Sequence, residues 1–134
     1  MATTITRKKT LFSDLDISFG RNPVTNDVNT LTNEDSIKQA VKLLVLTQNY
    51  ERPFHSEIGS PVSGLLFENS SPLLSNIIKR VVRQAINNFE PRVKVNDIGV
   101  IENYDNNSIT VTVQFSIVGS TSTYSVDINL ERTR

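Results

Sequence analysis

The sequence of 134 residues has no cysteine and no tryptophan, one histidine and five scattered glycines. Without cysteine there are no disulfides and no thiolate ligands, and a single histidine excludes a histidine-cluster metal site. The glycines form no phosphate-binding loop. Nucleophilic catalysis is disfavoured as well, because it needs a hydroxyl or thiol beside a placed base, and His55 has no motif partner. We therefore expect no metal, no other cofactor and no small-molecule substrate.

An excess of charge and a long apolar run are absent too. The 14 basic and 14 acidic side chains cancel, and the isoelectric point is near 6.6, whereas nucleic-acid-binding domains usually carry a clustered basic excess. Lys79, Arg80 and Arg83 would share the polar side of a helix, where a solvated face or a protein interface is favoured over phosphate contacts. No segment approaches membrane-spanning length, and no signal-peptide-like run follows Arg7. We expect neither nucleic acid nor membrane as a partner, and synthesis in the cytosol.

The stretch from Asn49 to Arg92 dominates the pattern of the chain. It opens as a loop broken by prolines and glycines. Ser71 followed by Pro72 then predicts a helix start, because a serine hydroxyl caps free N–H groups and proline has no N–H to lose. Apolar residues follow at positions 73, 74, 77, 78, 81, 82, 85, 86 and 89. With about 100° per residue, this repeat drifts by roughly 40° each time, so we expect a central helix covered by more than one neighbour.

The rest of the chain predicts one more helix and three strands. A capping-box pattern at Thr32–Asp35 and the helical period after it predict a helix over 34–48. After Arg92 the period becomes that of a strand, regular over 109–117 and 124–130. The segment 93–104 is strand-like but irregular, which indicates a bulge near Asn96.

The predicted fold class is α+β, with two main helices packed on a three-stranded antiparallel C-terminal meander and an irregular N-terminal arm. We divide the chain into an N-terminal tail and arm, residues 1–30, and a single α+β domain, residues 31–134. The two edges of such a meander are either blunted against other chains or used to accept a strand from one, and the sequence alone does not choose.

Several short sequence patterns follow one another along roughly residues 10–130. They are S-D-L-D at Ser13–Asp16, R-P-F at Arg52–Phe54, E-x-G at Glu57–Gly59, L-F-E-N at Leu66–Asn69, the helix that begins at Pro72, and E-P-R at Glu90–Arg92. Together they resemble the baseplate wedge and sheath-initiator family of contractile phage tails, which has relatives in type VI secretion and other contractile injection systems.

The resemblance implies a structural wedge protein that initiates sheath polymerisation around the tail tube. The implied partners are other wedge proteins and the tail sheath protein, with the tail tube as a further candidate. The implied location is the tail baseplate of the virion, and the host cytoplasm during assembly. In the family, E-P-R helps to hold the bundle of the larger wedge proteins, a role that would fall to Glu90, Pro91 and Arg92. Sheath strands would extend a sheet edge, for which the candidate residues are Tyr124, Ser125, Val126, Asp127, Ile128 and Asn129.

Residue chemistry alone leaves other interpretations open. Glu90 and Arg92 also fit a solvated ion pair at a helix stop, worth at most about 1 kcal/mol. Arg52 and Phe54 are candidate loop contacts to a partner, although a loop anchored by a buried Phe54 is the favoured interpretation. His55, close to Glu57 in the chain, fits an exposed residue without a role.

A peptidoglycan-degrading, lysozyme-like enzyme is the alternative function, because relatives of the family have been described in that way. Glycoside hydrolysis needs two carboxyl groups across a cleft, one of them with a raised pKa. The carboxylates near the central stretch are Glu51, Glu57, Glu68 and Glu90. Only Glu68 follows an apolar run, and a carboxylate that caps backbone N–H groups is favoured there. We therefore expect no enzymatic activity.

Overall fold

The computed structural model describes residues 9–68, 71–103 and 105–131. Most of the predicted tail, Asn69 of the L-F-E-N pattern and Tyr104 at the predicted end of the first meander strand lie outside these residues. The chain divides into two compact units, the first ending at Ile37 and the second beginning at Lys38. The elements are β1 (Ser13–Leu15), β2 (Thr30–Thr32), α1 (Glu34–Leu46), α2 (Val62–Leu65), α3 (Pro72–Phe89), β3 (Val93–Asn103), β4 (Ser108–Ile117) and β5 (Thr123–Glu131).

The first unit is a hairpin in which β1 and β2 pair antiparallel. The pairing continues beyond the strands, because the N–H of Asp16 donates to the carbonyl of Asn29 at 2.9 Å and the N–H of Asn29 donates to that of Gly20 at 2.8 Å. No residue from 9 to 35 is buried. The sequence predicted an irregular arm here. The structure instead shows a hairpin, which is organised by backbone hydrogen bonds and has no apolar core of its own.

Asn33 ties the hairpin to the start of α1. Its Oδ1 accepts a hydrogen bond from the N–H of Leu11 at 2.8 Å, and its own N–H donates to the carbonyl of Phe12 at 2.8 Å. Thr32, which the capping-box pattern made the cap, instead pairs with Ser13 in β2. The helix runs over Glu34–Leu46, close to the predicted 34–48.

The second unit contains the predicted meander, in the order β3-β4-β5 with both pairs antiparallel. On β4, alternate residues are buried, as the strand period predicted: Ile109, Val111, Val113 and Phe115. The register of β3 against β4 shifts between Val95 and Asp97, so the predicted bulge is confirmed. The shift keeps both halves of β3 apolar on the same face, since Val93 and Ile98 are both buried.

Helix α3 begins as predicted and lies on the sheet. Ser71 is its N-cap, the Oγ of Ser71 accepts from the N–H of Leu74 at 3.3 Å, and Pro72 is the first helical residue. The helix packs against β3 and α2. Its buried side chains are Leu74, Ile78, Val82, Ala85 and Ile86. Leu73 stays exposed although its neighbour Leu74 is buried, so the predicted stripe is covered only in part at its start.

The start of α1 in this unit reaches the opposite edge of the sheet. The Nζ of Lys38 lies 5.5 Å from the centroid of the Tyr124 ring on β5, and that ring lies 6.1 Å from the ring of Phe115. An ammonium group at this distance is attracted to the ring face. With α3 on β3 and α1 beside β5, the α+β fold class is confirmed.

The E-x-G pattern is explained by a close approach between two backbones. Gly59 has φ +144°, and a Cβ at this position would lie 2.7 Å from the carbonyl oxygen of Thr47 and 2.9 Å from backbone atoms of Gln48. The next residue, Ser60, donates its N–H to the same Thr47 oxygen and its hydroxyl to the carbonyl of Val45, each at 2.8 Å. The loop is thereby fastened to the C-terminal end of α1, whose carbonyls lack helical donors.

Gly59→Ala is expected to lower the free energy of unfolding by about 2 kcal/mol or more, because it adds both a steric clash and an unfavourable φ. Urea unfolding followed by circular dichroism measures this. Gly64→Ala is the matched control, since nothing lies within 4 Å of a Cβ there and the residue is helical. It should leave stability unchanged or raise it by about 0.5 kcal/mol, and equal losses in the two variants would contradict the explanation.

Candidate partner-binding site

Glu90 and Arg92 form a two-pronged ion pair at the end of α3. The Nε of Arg92 donates to Oε1 of Glu90 at 2.6 Å, and Nη2 donates to Oε2 at 2.7 Å. Glu90 is only 7% exposed, whereas the Arg92 side chain is 35% exposed. The pair is therefore half inside the protein, and the interpretation as a solvated ion pair is wrong for Glu90.

The backbone of the same three residues joins the helix to the sheet. The N–H of Glu90 still donates to the carbonyl of Ile86 at 2.8 Å, while the carbonyl of Arg92 accepts from the N–H of Val118 at 2.9 Å. Pro91 has no N–H, so the carbonyl of Asn87 lacks its helical donor. The E-P-R segment thus ends α3, starts β3, and presents one guanidinium group whose orientation is fixed by two charged hydrogen bonds.

All six residues predicted at a sheet edge lie on β5, which is an edge strand. Ser125, Asp127 and Asn129 are exposed, and the alternate residues face the helices. Two exposed side chains are tied to β4, because Thr110 Oγ1 lies 2.7 Å from Asn129 Oδ1 and Thr112 Oγ1 lies 2.7 Å from Asp127 Oδ1.

The two edges of the meander differ in their openness to another strand. The β3 edge carries Lys94 and a bulge between Val95 and Asp97, both of which discourage strand addition. The β5 strand contains no proline, glycine, lysine or register shift over its nine residues. Of the two edges, β5 is the one that fits an added strand.

The loop that carries Arg52 and Phe54 is not anchored by a buried ring, so that interpretation is wrong. Phe54 is 100% exposed at φ +69°, and Tyr50 is 85% exposed at φ +71°. The loop is closed instead by a backbone hydrogen bond from Tyr50 to Ser56 at 2.8 Å. Backbone bonds at both of its ends replace the expected ring anchor, and both aromatic side chains are left on the surface. No pattern in the sequence indicated that Tyr50 would be an exposed residue of this loop.

His55 is exposed, as predicted, and its Nδ1 lies 3.4 Å from Oε1 of Glu57. The pKa of Glu57 is lowered, first by a hydrogen bond from its own backbone N–H and then by His55. Glu51 and Glu68 are exposed as well. A glycosidase acid needs the opposite environment, one that raises the pKa of a carboxyl group, and both oxygens of Glu90 are already bound to Arg92.

Within the residues that the structure describes, no three His, Cys, Asp or Glu side chains gather in a way that could hold a metal ion. In the same part of the chain, no helix combines the length and apolar character needed to cross a membrane.

A polar cavity of about 260 Å³ lies between the loop and α3, and the sequence analysis missed it. It is lined by Asn49, Glu57, Gly59 and Pro61 from the loop and by Val81, Gln84, Ala85, Asn88 and Phe89 from the helix. The sequence contained one indication of a polar site on this helix. Gln84 and Asn88 are four residues apart and therefore share a helix face. The loop residues that complete the cavity had no such spacing.

The chain belongs to the family of baseplate wedge protein gp25, whose model matches residues 31–122. Baseplate wedge protein gp25 of Enterobacteria phage T4 is 32% identical over 108 residues, which are 81% of this chain and 81% of that protein. The match to the family model includes E-P-R and ends before β5.

Two solved structures share the fold at low identity. A chain in the baseplate of the anti-feeding prophage has a TM-score of 0.64 at 15% identity, covering 90% of this chain and 85% of that one. A protein from Geobacter sulfurreducens, provisionally named a tail lysozyme, has a TM-score of 0.69 at 13% identity, covering 75% of this chain and 92% of that one. At these identities the two structures support the architecture and nothing about activity.

Phe54→Gly is expected to leave the free energy of unfolding unchanged or to raise it by about 1 kcal/mol. The ring contributes no burial, and glycine adopts a positive φ without the steric cost that other residues bear. The contrasting variant is Phe115→Ala, where the ring is fully buried and the loss should be about 3–5 kcal/mol. Thermal and urea unfolding measure both, and a substantial loss in Phe54→Gly would mean that the ring is packed.

Arg92→Ala is expected to leave the chain folded but less stable by about 1–3 kcal/mol, because it leaves the Glu90 carboxylate buried without its charged partner. The double variant Glu90→Gln/Arg92→Ala should recover part of the loss, since a neutral amide is less costly to bury. Arg83→Ala on the exposed side of α3 is the control and should change stability by less than about 0.5 kcal/mol. No recovery in the double variant would contradict the burial argument.

Proposed function

We propose that this chain is a structural component of a contractile-tail baseplate wedge, that it binds the core bundle of the wedge, and that it initiates polymerisation of the tail sheath. Its partners are other wedge proteins and the sheath protein, with the tail tube as a further candidate. It acts in the tail baseplate of the virion after assembly in the host cytoplasm. The observation that carries the proposal is the intact E-P-R junction, half-buried and rigid, in a chain of the gp25 family.

The wedge-binding role is supported by the way in which Arg92 is held. Two hydrogen bonds to Glu90 at 2.6 and 2.7 Å fix the guanidinium before a partner arrives, so little side-chain freedom remains to be lost on binding. The Arg92 side chain is 35% exposed, whereas the Glu90 side chain is shielded from solvent. Arginine suits this role better than lysine because its planar fork bonds both oxygens of one carboxylate and is held in one orientation.

The sheath role is supported by the difference between the two sheet edges. An added strand needs a long, regular edge, and β5 offers nine residues without a register shift. The hydrogen bonds of Thr110 and Thr112 across to β5 stiffen that edge. The residues proposed to meet the sheath are therefore Tyr124 to Asn129. Arg52 and Phe54 are retained as proposed loop contacts because their loop presents an unpacked ring.

Arg92→Lys tests the wedge contact, because it keeps the positive charge and removes the planar fork. We expect affinity for the co-purified wedge proteins to fall by about tenfold or more, which corresponds to about 1.4 kcal/mol. Arg83→Lys is the matched control on the exposed face of α3 and should bind as the parent does. Circular dichroism verifies that both variants fold, and parental binding by Arg92→Lys would refute the role of Arg92.

The sheath role is tested by electron microscopy of tails assembled with and without this protein. Without it, we expect tail tubes on baseplates that lack sheath, and adding the protein should restore the sheath. Ser125→Lys on β5 should restore fewer sheathed tails, because a lysine at an open edge opposes strand addition. Asn103→Lys on β3 is the control and should restore sheath fully. Sheathed tails in the absence of the protein would exclude the initiator role.

The lysozyme-like alternative has the name of the Geobacter sulfurreducens neighbour in its favour, but the carboxylates do not support it. Three are exposed and Glu90 is bound to Arg92, so none has the apolar surroundings that make a general acid. A peptidoglycan turbidity assay on the purified chain distinguishes the two functions, and clearing that is lost in a glutamate variant would favour the enzyme.

A further inference from the structure

We propose that the cavity between the loop and α3 receives an arginine side chain from a protein partner. This proposal extends the proposed wedge-binding function to a second contact. It rests on that function only for the identity of the partner, because the cavity adjoins the helix end that carries E-P-R. Asn88 and Phe89, which immediately precede Glu90, line the cavity. A partner that meets Arg92 therefore passes close to the cavity.

The polar groups around the cavity call for a hydrogen-bond donor. Asn49, Gln84 and Asn88, which carry side-chain amides, line the cavity. The Glu57 carboxylate also lines the cavity. Its lowered pKa keeps it ionised at neutral pH. Amide groups and an acidic residue around one cavity are matched by a cationic group with several N–H donors.

The helix adds negative potential to the same place. The last turn of α3 contains no basic residue, although this end of a helix dipole favours a cation. Pro91 leaves the carbonyl of Asn87 without its helical donor, which adds a further acceptor at this end. None of the residues that line the cavity is a lysine or an arginine. A cation supplied from outside would therefore be attracted, whereas an anion would be repelled.

The shape and the apolar part of the lining favour arginine among cations. At about 260 Å³ the cavity is below the usual size of a small-molecule site and suits a single side chain. Gln84 and Asn88 supply amide oxygens on one helix face, and Phe89 supplies a half-buried ring. A planar guanidinium can stack on such a ring while its donors reach acceptors on several sides, which the compact ammonium of lysine cannot do as well.

The test uses the isolated chain labelled with ¹⁵N and titrated with N-acetyl-arginine amide. We expect saturable shifts of the side-chain amide signals of Asn49, Gln84 and Asn88, with a dissociation constant in the millimolar range. N-acetyl-citrulline amide has nearly the same shape without the charge, and it should bind at least tenfold more weakly. The absence of saturable shifts, shifts elsewhere on the surface, or equal binding of the two compounds would overturn the proposal.

Glu57→Gln should weaken binding of the arginine derivative by about tenfold. Glu51→Gln is the matched control, because Glu51 is exposed in the same loop but does not line the cavity. It should bind the derivative as the parent does. In the co-purification assay, Glu57→Gln should also weaken the wedge complex, and an unchanged complex would overturn the assignment of the partner to the wedge.

These measurements separate the cavity from the proposed function. Failure of the arginine derivative to bind would remove the cavity proposal and leave the role of Arg92 untouched. Arg92→Lys should lose wedge binding while retaining normal binding of the derivative, since Arg92 does not line the cavity. Loss of both in that single variant would contradict the independence of the two sites.

Discussion

The junction from Glu90 to Arg92 connects the helical layer to the sheet in the second unit, and the hydrogen bonds from Arg92 to Glu90 stabilise it. They close the point at which α3 ends and β3 begins, and Pro91 between them prevents the helix from continuing. The Glu90 carboxylate is almost fully buried. Separating the two groups would leave a buried charge without a partner, and this cost maintains the pair as much as the attraction between the charges does. A junction of this kind gives the sheet a defined direction relative to its helix.

The two edges of the meander differ in regularity. The β3 edge lies next to α3 and carries a bulge, whereas β5 is regular and its exposed side chains are tied to β4. Edge strands that remain long and regular are normally avoided because they invite association. We propose that β5 is kept open in this way for the addition of a strand from another chain.

The loop before α3 is fastened by backbone contacts, which explains how it can present side chains without packing them. Gly59 permits the close approach to the end of α1, and Ser60 bonds the carbonyls of Val45 and Thr47. The same fastening sets one wall of the polar cavity against α3. Tyr50 and Phe54 lie on the surface at positive φ, a conformation that is costly for residues other than glycine.

The sequence by itself determined the two main helices and the three meander strands, because helical and strand periods, the Ser71-Pro72 start and the bulge near Asn96 are local consequences of residue order. It also carried the resemblance that placed the chain in its family. Only the tertiary structure decided that Glu90 is buried, that Phe54 is not, and that Asn49 meets Gln84 and Asn88 across a cavity. Burial and juxtaposition depend on contacts between residues distant in the chain, and a local pattern does not encode which of those contacts form.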